Sequence, residues 1–252
     1  MTFSMKNVTF YEGITNICEK VFNNCFNLEF VNLPNSLTQL DHRVFQSCQM
    51  LESIFIPKNL KEFGNNCFND CVSLKNLTFE EGDVKDRLLY HHSFNNCQML
   101  ESLVIPDGFT RLDYNSFSNC FSLKSLVLPK TITYIGVDCF SYCNSLQSCT
   151  FRGNKSPSFD GNIFNGGFIK FVNVSKKFID ESFCNFPIIY SPGEEPSKSF
   201  TPSNQFTQSE IFTKSSTLTH SEKLFSTSSQ FSFQNSEEFT NNKESTIITL
   251  SP

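Results

Sequence analysis

Apolar and polar positions along the first two thirds of the chain follow a pattern that restarts about every 23 residues, seen most clearly at 51–68 (LESIFIPKNLKEFGNNCF) and 123–140 (LKSLVLPKTITYIGVDCF). Leu51, Ile54 and Ile56 recur as Leu28/Val31/Leu33, Leu74/Leu77/Phe79, Leu100/Leu103/Ile105, Leu123/Leu126/Leu128 and Leu146/Cys149/Phe151. The alternation across the last two positions of each set predicts a short strand with one face inward, and stacking such strands predicts a parallel sheet. Pro34, Pro57, Pro106 and Pro129 follow the strand, where a fixed φ and a missing N–H end pairing and turn the chain. A second apolar pair comes next, as in Leu37/Leu40, Leu60/Phe63, Phe109/Leu112 and Ile132/Ile135. Gly64 and Gly136, with Asp41 and Asp113 at equivalent places, are expected to form the following bend, because Gly and Asp tolerate backbone that other residues resist.

Each unit closes with Phe-x-x-Cys: FNNC, FQSC, FNDC, FNNC, FSNC and FSYC. Their cysteines, Cys25, Cys48, Cys71, Cys97, Cys120 and Cys143, lie 23, 23, 26, 23 and 23 residues apart. A fixed period in this range predicts a solenoid, in which each unit stacks on its neighbours because it cannot bury its apolar face alone. The phenylalanines are expected to point inward. Eleven cysteines would suggest disulfides in a short secreted chain. One cysteine per coil at a constant place instead reads as a buried column of free thiols bonded to neighbouring backbone. Coils about 4.8 Å apart leave bridges between neighbours open as the alternative.

The combination of L-x-x-I-x-I-P, an Ile-Gly bend, and a small residue followed by Phe, two residues and Cys resembles the BspA-like class of leucine-rich repeats, over roughly residues 8–143. That class is known from surface antigens of anaerobic bacteria and parasitic protists. The resemblance implies a β-rich solenoid with parallel strands on one face, and a surface antigen that adheres to host cells or matrix. Two departures stand out. The first unit begins abruptly near Val8 and Phe10, and the unit after Phe79 reads EEGDVKDRLLYHHSF, without Pro and three residues longer, so it must bulge.

The expected organisation is a repeat array at 1–147, a capping module at 148–190 and a disordered Ser/Thr/Phe-rich tail at 191–252, with about seven coils spanning roughly 30 Å. In the module, Ile169, Phe171, Val172 and Val174 predict one more strand, while Phe183, Cys184 and Pro187 are expected to close the core. Beyond Ser191, Ser, Thr, Glu and Asn dominate around isolated phenylalanines from Phe200 to Phe239. Such a segment buries too little apolar surface to offset its ordering entropy. It reads as a flexible tail, with a modified stalk or a set of Phe docking motifs as alternatives.

A net charge of −5 and a pI near 5.4 provide no basic field for nucleic acid. No apolar run of membrane-spanning length, secretory leader or lipid-anchor motif is legible. The resemblance implies a cell-surface or extracellular location; a cytoplasmic one is the alternative. His91 and His92 follow Glu80, Glu81, Asp83 and Asp86, but no zinc-like spacing accompanies them, and a solvated convex loop is the expected use. Cys67/Cys71 and Cys139/Cys143 form C-x-x-x-C pairs whose first members occupy the packing position that Val21, Val44, Ser93 and Ser116 fill elsewhere. No nucleophile–base grouping, phosphate loop, cofactor site or metal set is legible, so an enzyme is not expected.

The residues between inward strand positions face outward in two lanes. One reads Asn32, Phe55, Thr78, Val104, Val127 and Thr150; its neighbour begins Phe30, Ser53 and Asn76. Apolar residues on an outer face point to contacts, with strand propensity alone as the alternative, so Phe30, Asn32, Phe55, Thr78, Val104 and Val127 are the candidate partner-binding residues, for a protein or glycoconjugate ligand. The alternative is an intracellular interaction scaffold with a recruiting tail. Sequons begin at Asn7, Asn76, Asn154 and Asn173, and a glycan on Asn76 would obstruct the proposed face.

Overall fold

The computed structural model describes residues 5–191 and the strand Ile247–Leu250. The chain winds into a parallel β-solenoid of about seven turns with about 23 residues per coil. Each of the first seven coils contributes two short strands. The main face holds β1 (Asn7–Phe10), β3 (Phe30–Asn32), β5 (Ser53–Ile56), β7 (Asn76–Phe79), β9 (Ser102–Val104), β11 (Ser125–Leu128), β13 (Ser148–Phe151), β15 (Val172–Val174) and β16 (Ile188–Tyr190). The second face holds β2 (Asn16–Ile17), β4 (Gln39–Leu40), β6 (Glu62–Phe63), β8 (Arg87–Leu89), β10 (Phe109–Leu112), β12 (Tyr134–Ile135) and β14 (Ser158–Phe159), paired without a break. On the main face the ladder falls into β1–β3, β5–β7 and β9–β11–β13–β15–β16, and β17 (Ile247–Leu250) pairs with the outer edge of β1.

Register carries the repeated residues into common columns. Ile54 pairs with Leu77 and Ile56 with Phe79; Leu126 pairs with Cys149 and Leu128 with Phe151, and all eight are buried. Pro34, Pro57, Pro106 and Pro129 are buried where the main strand ends. Behind the strands, Phe22, Phe45, Phe68, Phe94, Phe117, Phe140 and Phe164 form one stack with ring centroids 5.0 to 5.7 Å apart. Adjacent planes lie within 28° of parallel, a spacing that fits offset stacking of aromatic quadrupoles. The inward assignment of the repeated phenylalanines therefore holds.

Ten of the cysteines are buried with free thiols. The thiols of Cys48, Cys71, Cys97, Cys120 and Cys143 donate to the carbonyls of Phe22, Phe45, Phe68, Phe94 and Phe117, each on the preceding coil, at 3.3 to 3.6 Å. The turns around each phenylalanine use left-handed backbone twice per coil. Lys20, Arg43, Asn66, His92, Asn115 and Asp138 take φ of 55–63° before the Phe, and Asn24, Ser47, Asp70, Asn96, Asn119 and Tyr142 take φ of 57–62° just before the Cys. Asn and Asp, which enter this region at low cost, fill seven of these twelve places.

The bend at Gly64 and Gly136 has a different cause from the expected one. Neither adopts positive φ; a Cβ at Gly64 would sit 2.3 Å from the carbonyl carbon of Asp41, and one at Gly136 would sit 2.5 Å from the amide of Tyr114. Close approach of one coil to the previous one selects glycine there.

The long unit bulges as expected. Residues 80–86 form no strand and are mostly exposed, the main ladder is interrupted between β7 and β9, and the register of β8 against β10 shifts between Phe109 and Arg111. The shift sets Arg87 opposite Phe109, in the interior column that Leu37, Leu60 and Ile132 occupy in other coils. Arg87 is 1% exposed. Its guanidinium carbon lies 4.4 Å from the Phe109 ring centroid and 5.7 Å from that of Phe79, and Nε donates to the Leu60 carbonyl at 3.0 Å.

At the far end, Val172 and Val174 enter the predicted strand, and Phe183 and Cys184 close the core. Two expectations fail there. Ile169 and Phe171 lie outside β15, which begins at Val172, and Pro187 is exposed just before the edge strand β16. Of the tail, 192–246 and 251–252 lie outside the described residues, including the phenylalanines from Phe200 to Phe239; 247–250 form β17.

Candidate functional site

The candidate residues lie on the outer side of the main face because a β-strand presents alternate residues to opposite sides. Register sets Thr9 beside Asn32, Phe55 beside Thr78, Val104 beside Val127, Val127 beside Thr150 and Thr150 beside Asn173. In the neighbouring lane Asn7 pairs with Phe30, Ser53 with Asn76 and Ser102 with Ser125. Phe30, Asn32, Phe55, Thr78, Val104 and Val127 are all half-buried rather than fully exposed, since neighbouring lanes shield each side chain.

Phe30, Phe55 and Thr78 meet at a small cleft of about 20 Å³, which Val31, Ser53, Ile54 and Asn76 complete. It lies where the ladder is interrupted between β3 and β5, and its volume matches about one water. Val104 and Val127 lie beyond the second interruption and do not line this cleft. Asn32 shares the lane but not the cleft. Charged residues of alternating sign run just before the strands, with Lys6 on Glu29 at 2.8 Å and Lys124 on Glu101 at 3.0 Å. Both pairs are about half exposed, so they contribute little to stability and form a polar rim to the face.

A second depression, absent from the sequence reading, opens at the C-terminal end of the same face. It encloses about 570 Å³ between Lys124, Gln147 and Lys170 and the aromatic rings of Phe168 and Phe171. Phe168 is 72% exposed. The sequence held its signal in GGF, a phenylalanine after two glycines where no repeat column requires one.

His91 and His92 do not belong to the solvated loop. They occupy the repeated turn before Phe94, half-buried, with the His91 ring stacked 3.9 Å from Tyr114 and the His92 ring edge-on at 5.0 Å. His91 Nδ1 lies 3.4 Å from the buried Asp113 carboxylate, which Arg111 also engages at 2.9 Å. Burial, with the neighbouring His91, pushes the His92 pKa below its ordinary value. Among the described residues no group of three His, Cys, Asp or Glu side chains is placed to hold a metal ion.

Cys67 and Cys139 fill the packing position ahead of the phenylalanine and are 0% exposed. Burial raises their thiol pKa values well above the ordinary one. Cys71 is pushed up to about 12, also by burial. The thiolate, which is the form that attacks or ligates, is therefore suppressed at Cys67, Cys71 and Cys139. No helix of the described residues is long and apolar enough to cross a membrane.

Residues 1–92 and 87–187 match the BspA type leucine rich repeat region, with 6 copies. Among solved structures, a Treponema pallidum leucine-rich repeat protein superposes with a TM-score of 0.56 at 25% identity, covering 62% of this chain and 74% of that one. A leucine-rich repeat protein from Bacteroides ovatus gives a TM-score of 0.42 at 21% identity over 67% of this chain and 55% of that one. A leucine-rich cell surface protein from Faecalibacterium prausnitzii gives 0.39 at 20% identity over 75% and 60%. No curated protein matches the sequence.

Proposed function

The chain belongs to the BspA-type leucine-rich-repeat family, and from that membership we propose that it is a non-catalytic binding protein of the cell surface, an adhesin whose main face engages host or matrix proteins or glycoconjugates. One observation carries this reading: Phe55, Val104 and Val127 stand half-buried in a single outward lane, bordered by Ser and Asn of the next lane and by a rim of opposite charges. An apolar strip inside a polar rim is the arrangement of a protein contact surface. The suppressed thiolates and the use of His91 and His92 in ring packing support a binding role over a catalytic one.

The test is the double variant Phe55→Ser/Val104→Ser in the full chain. Both side chains are outward, so the array should keep its melting temperature while binding to host cells or matrix proteins falls at least about tenfold, a loss of about 1.4 kcal/mol. Unchanged binding by a folded variant removes the face from the function.

A second reading, an intracellular scaffold, is favoured by the ten buried, free thiols, since reduced thiols suit a reducing compartment. Surface biotinylation of native cells and the glycan occupancy of Asn76 separate the two. A glycosylated, surface-labelled protein supports adhesion; an unmodified internal one supports the scaffold.

A further inference from the structure

An end strand of a sheet presents unpaired N–H and C=O groups and leaves the adjoining core open on one side. β1 has β3 on one side only, yet Val8 is 0% and Phe10 4% exposed. Its other neighbour is β17, which comes from the opposite end of the chain and pairs in parallel over four residues: Asn7 with Ile247, Val8 with Ile248, Thr9 with Thr249 and Phe10 with Leu250.

That register continues the pattern of the array. Position 248 pairs in register with the buried Val8 and position 250 with the buried Phe10, while position 249 pairs with Thr9 of the outward lane; Ile and Leu are also residue types found at the equivalent places of other coils. Ile247, Ile248 and Thr249 are β-branched, the class that suits a pleated, half-buried strand. A one-residue slip would exchange the two faces, so coincidence of both column positions is a specific match.

The connection is long enough. Eight strand spacings separate β16 from β1 along the main face, about 38 Å at ~4.8 Å each, and the 55 residues from 192 to 246 reach up to ~180 Å when extended.

We propose that the outer edge of β1 is a strand-accepting site, and that Ile247–Leu250 of the same molecule fills it and closes the open end of the array. The site selects an extended segment with apolar residues at alternate positions, entering parallel to β1. A second copy of the chain offers the same segment and therefore competes for the edge whenever the chain's own strand is released. This proposal is independent of the adhesive reading, because it concerns the end of the solenoid and not its outer face.

The test uses the full chain with Ile248→Pro/Thr249→Pro. Consecutive prolines remove an N–H from the ladder whichever of the two residues faces β1. A labelled peptide of residues 244–252 (ESTIITLSP) should bind this variant at least tenfold more tightly than the parent, whose edge is occupied. The amides of Asn7 and Thr9, which face away from β3 because the Lys6 carbonyl accepts from Phe30 on that side, should exchange at least tenfold faster in the variant and recover protection when the peptide is added. Equal affinity for variant and parent, or no binding to a variant that melts like the parent, overturns the proposal. A second variant, Thr9→Cys/Thr249→Cys, leaves the strand intact. A disulfide between positions 9 and 249 of one chain under mild oxidation supports the assignment; a bond joining two chains, or none, overturns it.

Discussion

Phe68 lies between Phe45 and Phe94, with ring centroids 5.2 and 5.0 Å away, and has no exposed surface. Coils on both sides hold the backbone in place, so Phe68→Ala leaves a cavity that cannot collapse and should cost about 3–5 kcal/mol. At about 2–4 °C per kcal/mol for a domain of this size, thermal melts should show a drop on the order of 6–20 °C. The thiols give a second residue-scale prediction. Burial raises the pKa of Cys25 to about 11 and those of Cys71 and Cys184 to about 12, while the unfolded thiol ionises near pH 8.5. Their contribution is complete below about pH 8.5 and declines as the pH rises toward the folded values, by about 1.4 kcal/mol per pH unit per thiol. Denaturant midpoints under reducing conditions should fall steeply between about pH 8.5 and 10, and Cys71→Ala should make that slope shallower. The phenylalanine and cysteine columns were legible in the sequence because a constant spacing forces each residue type to the same radius in every coil.

Elements were legible where they repeat and obscure where they do not. Every main strand from β3 through β13 lay within a predicted apolar set, and the bulge at 80–86 followed from three extra residues. The paired left-handed positions were half visible as Asn and Asp, but Lys20, Arg43 and Tyr142 carry no such signature, since the surrounding coil imposes their backbone. The Gly64 bend was found for the wrong reason, because contact with Asp41 on the previous coil is a tertiary fact. Arg87 was missed altogether: the shift that carries it into an apolar column arises from how β8 settles against β10. Burial lowers its pKa to about 10, a measure of how poorly the column accommodates charge. Exchanging a buried, weakly paired charge for a packed apolar side chain is commonly neutral or stabilising. Arg87→Leu, the residue type of Leu37 and Leu60 in the same column, should raise stability by about 1–3 kcal/mol in denaturant titrations. A loss would show that Phe79, Phe109 and the Leu60 carbonyl offset the desolvation of the guanidinium.

At the scale of the molecule the outer face was read correctly in its lanes, because alternation fixes which residues point outward. Its division into three ladder segments was not, because pairing depends on small offsets between coils that the residue pattern does not encode. The depression around Phe168 and the pairing of β17 with β1 were invisible for a related reason: each joins parts that no period relates. What the period does dictate is how energy is shared. A solenoid coil touches only its neighbours, so its stability is a sum of intrinsic and nearest-neighbour contributions. Phe68 stacks on Phe94 at 5.0 Å, whereas Phe94 and Phe117 stand between Phe68 and Phe140 in the stack. Phe68→Ala and Phe94→Ala should therefore couple by about 0.5–3 kcal/mol in a double-mutant cycle, since one cavity relaxes into the other, while Phe68→Ala and Phe140→Ala should add to within about 0.5 kcal/mol. Equal coupling in both cycles would mean that the array unfolds with a cooperative unit longer than three coils, and that a ligand held at one end of the face is felt at the other.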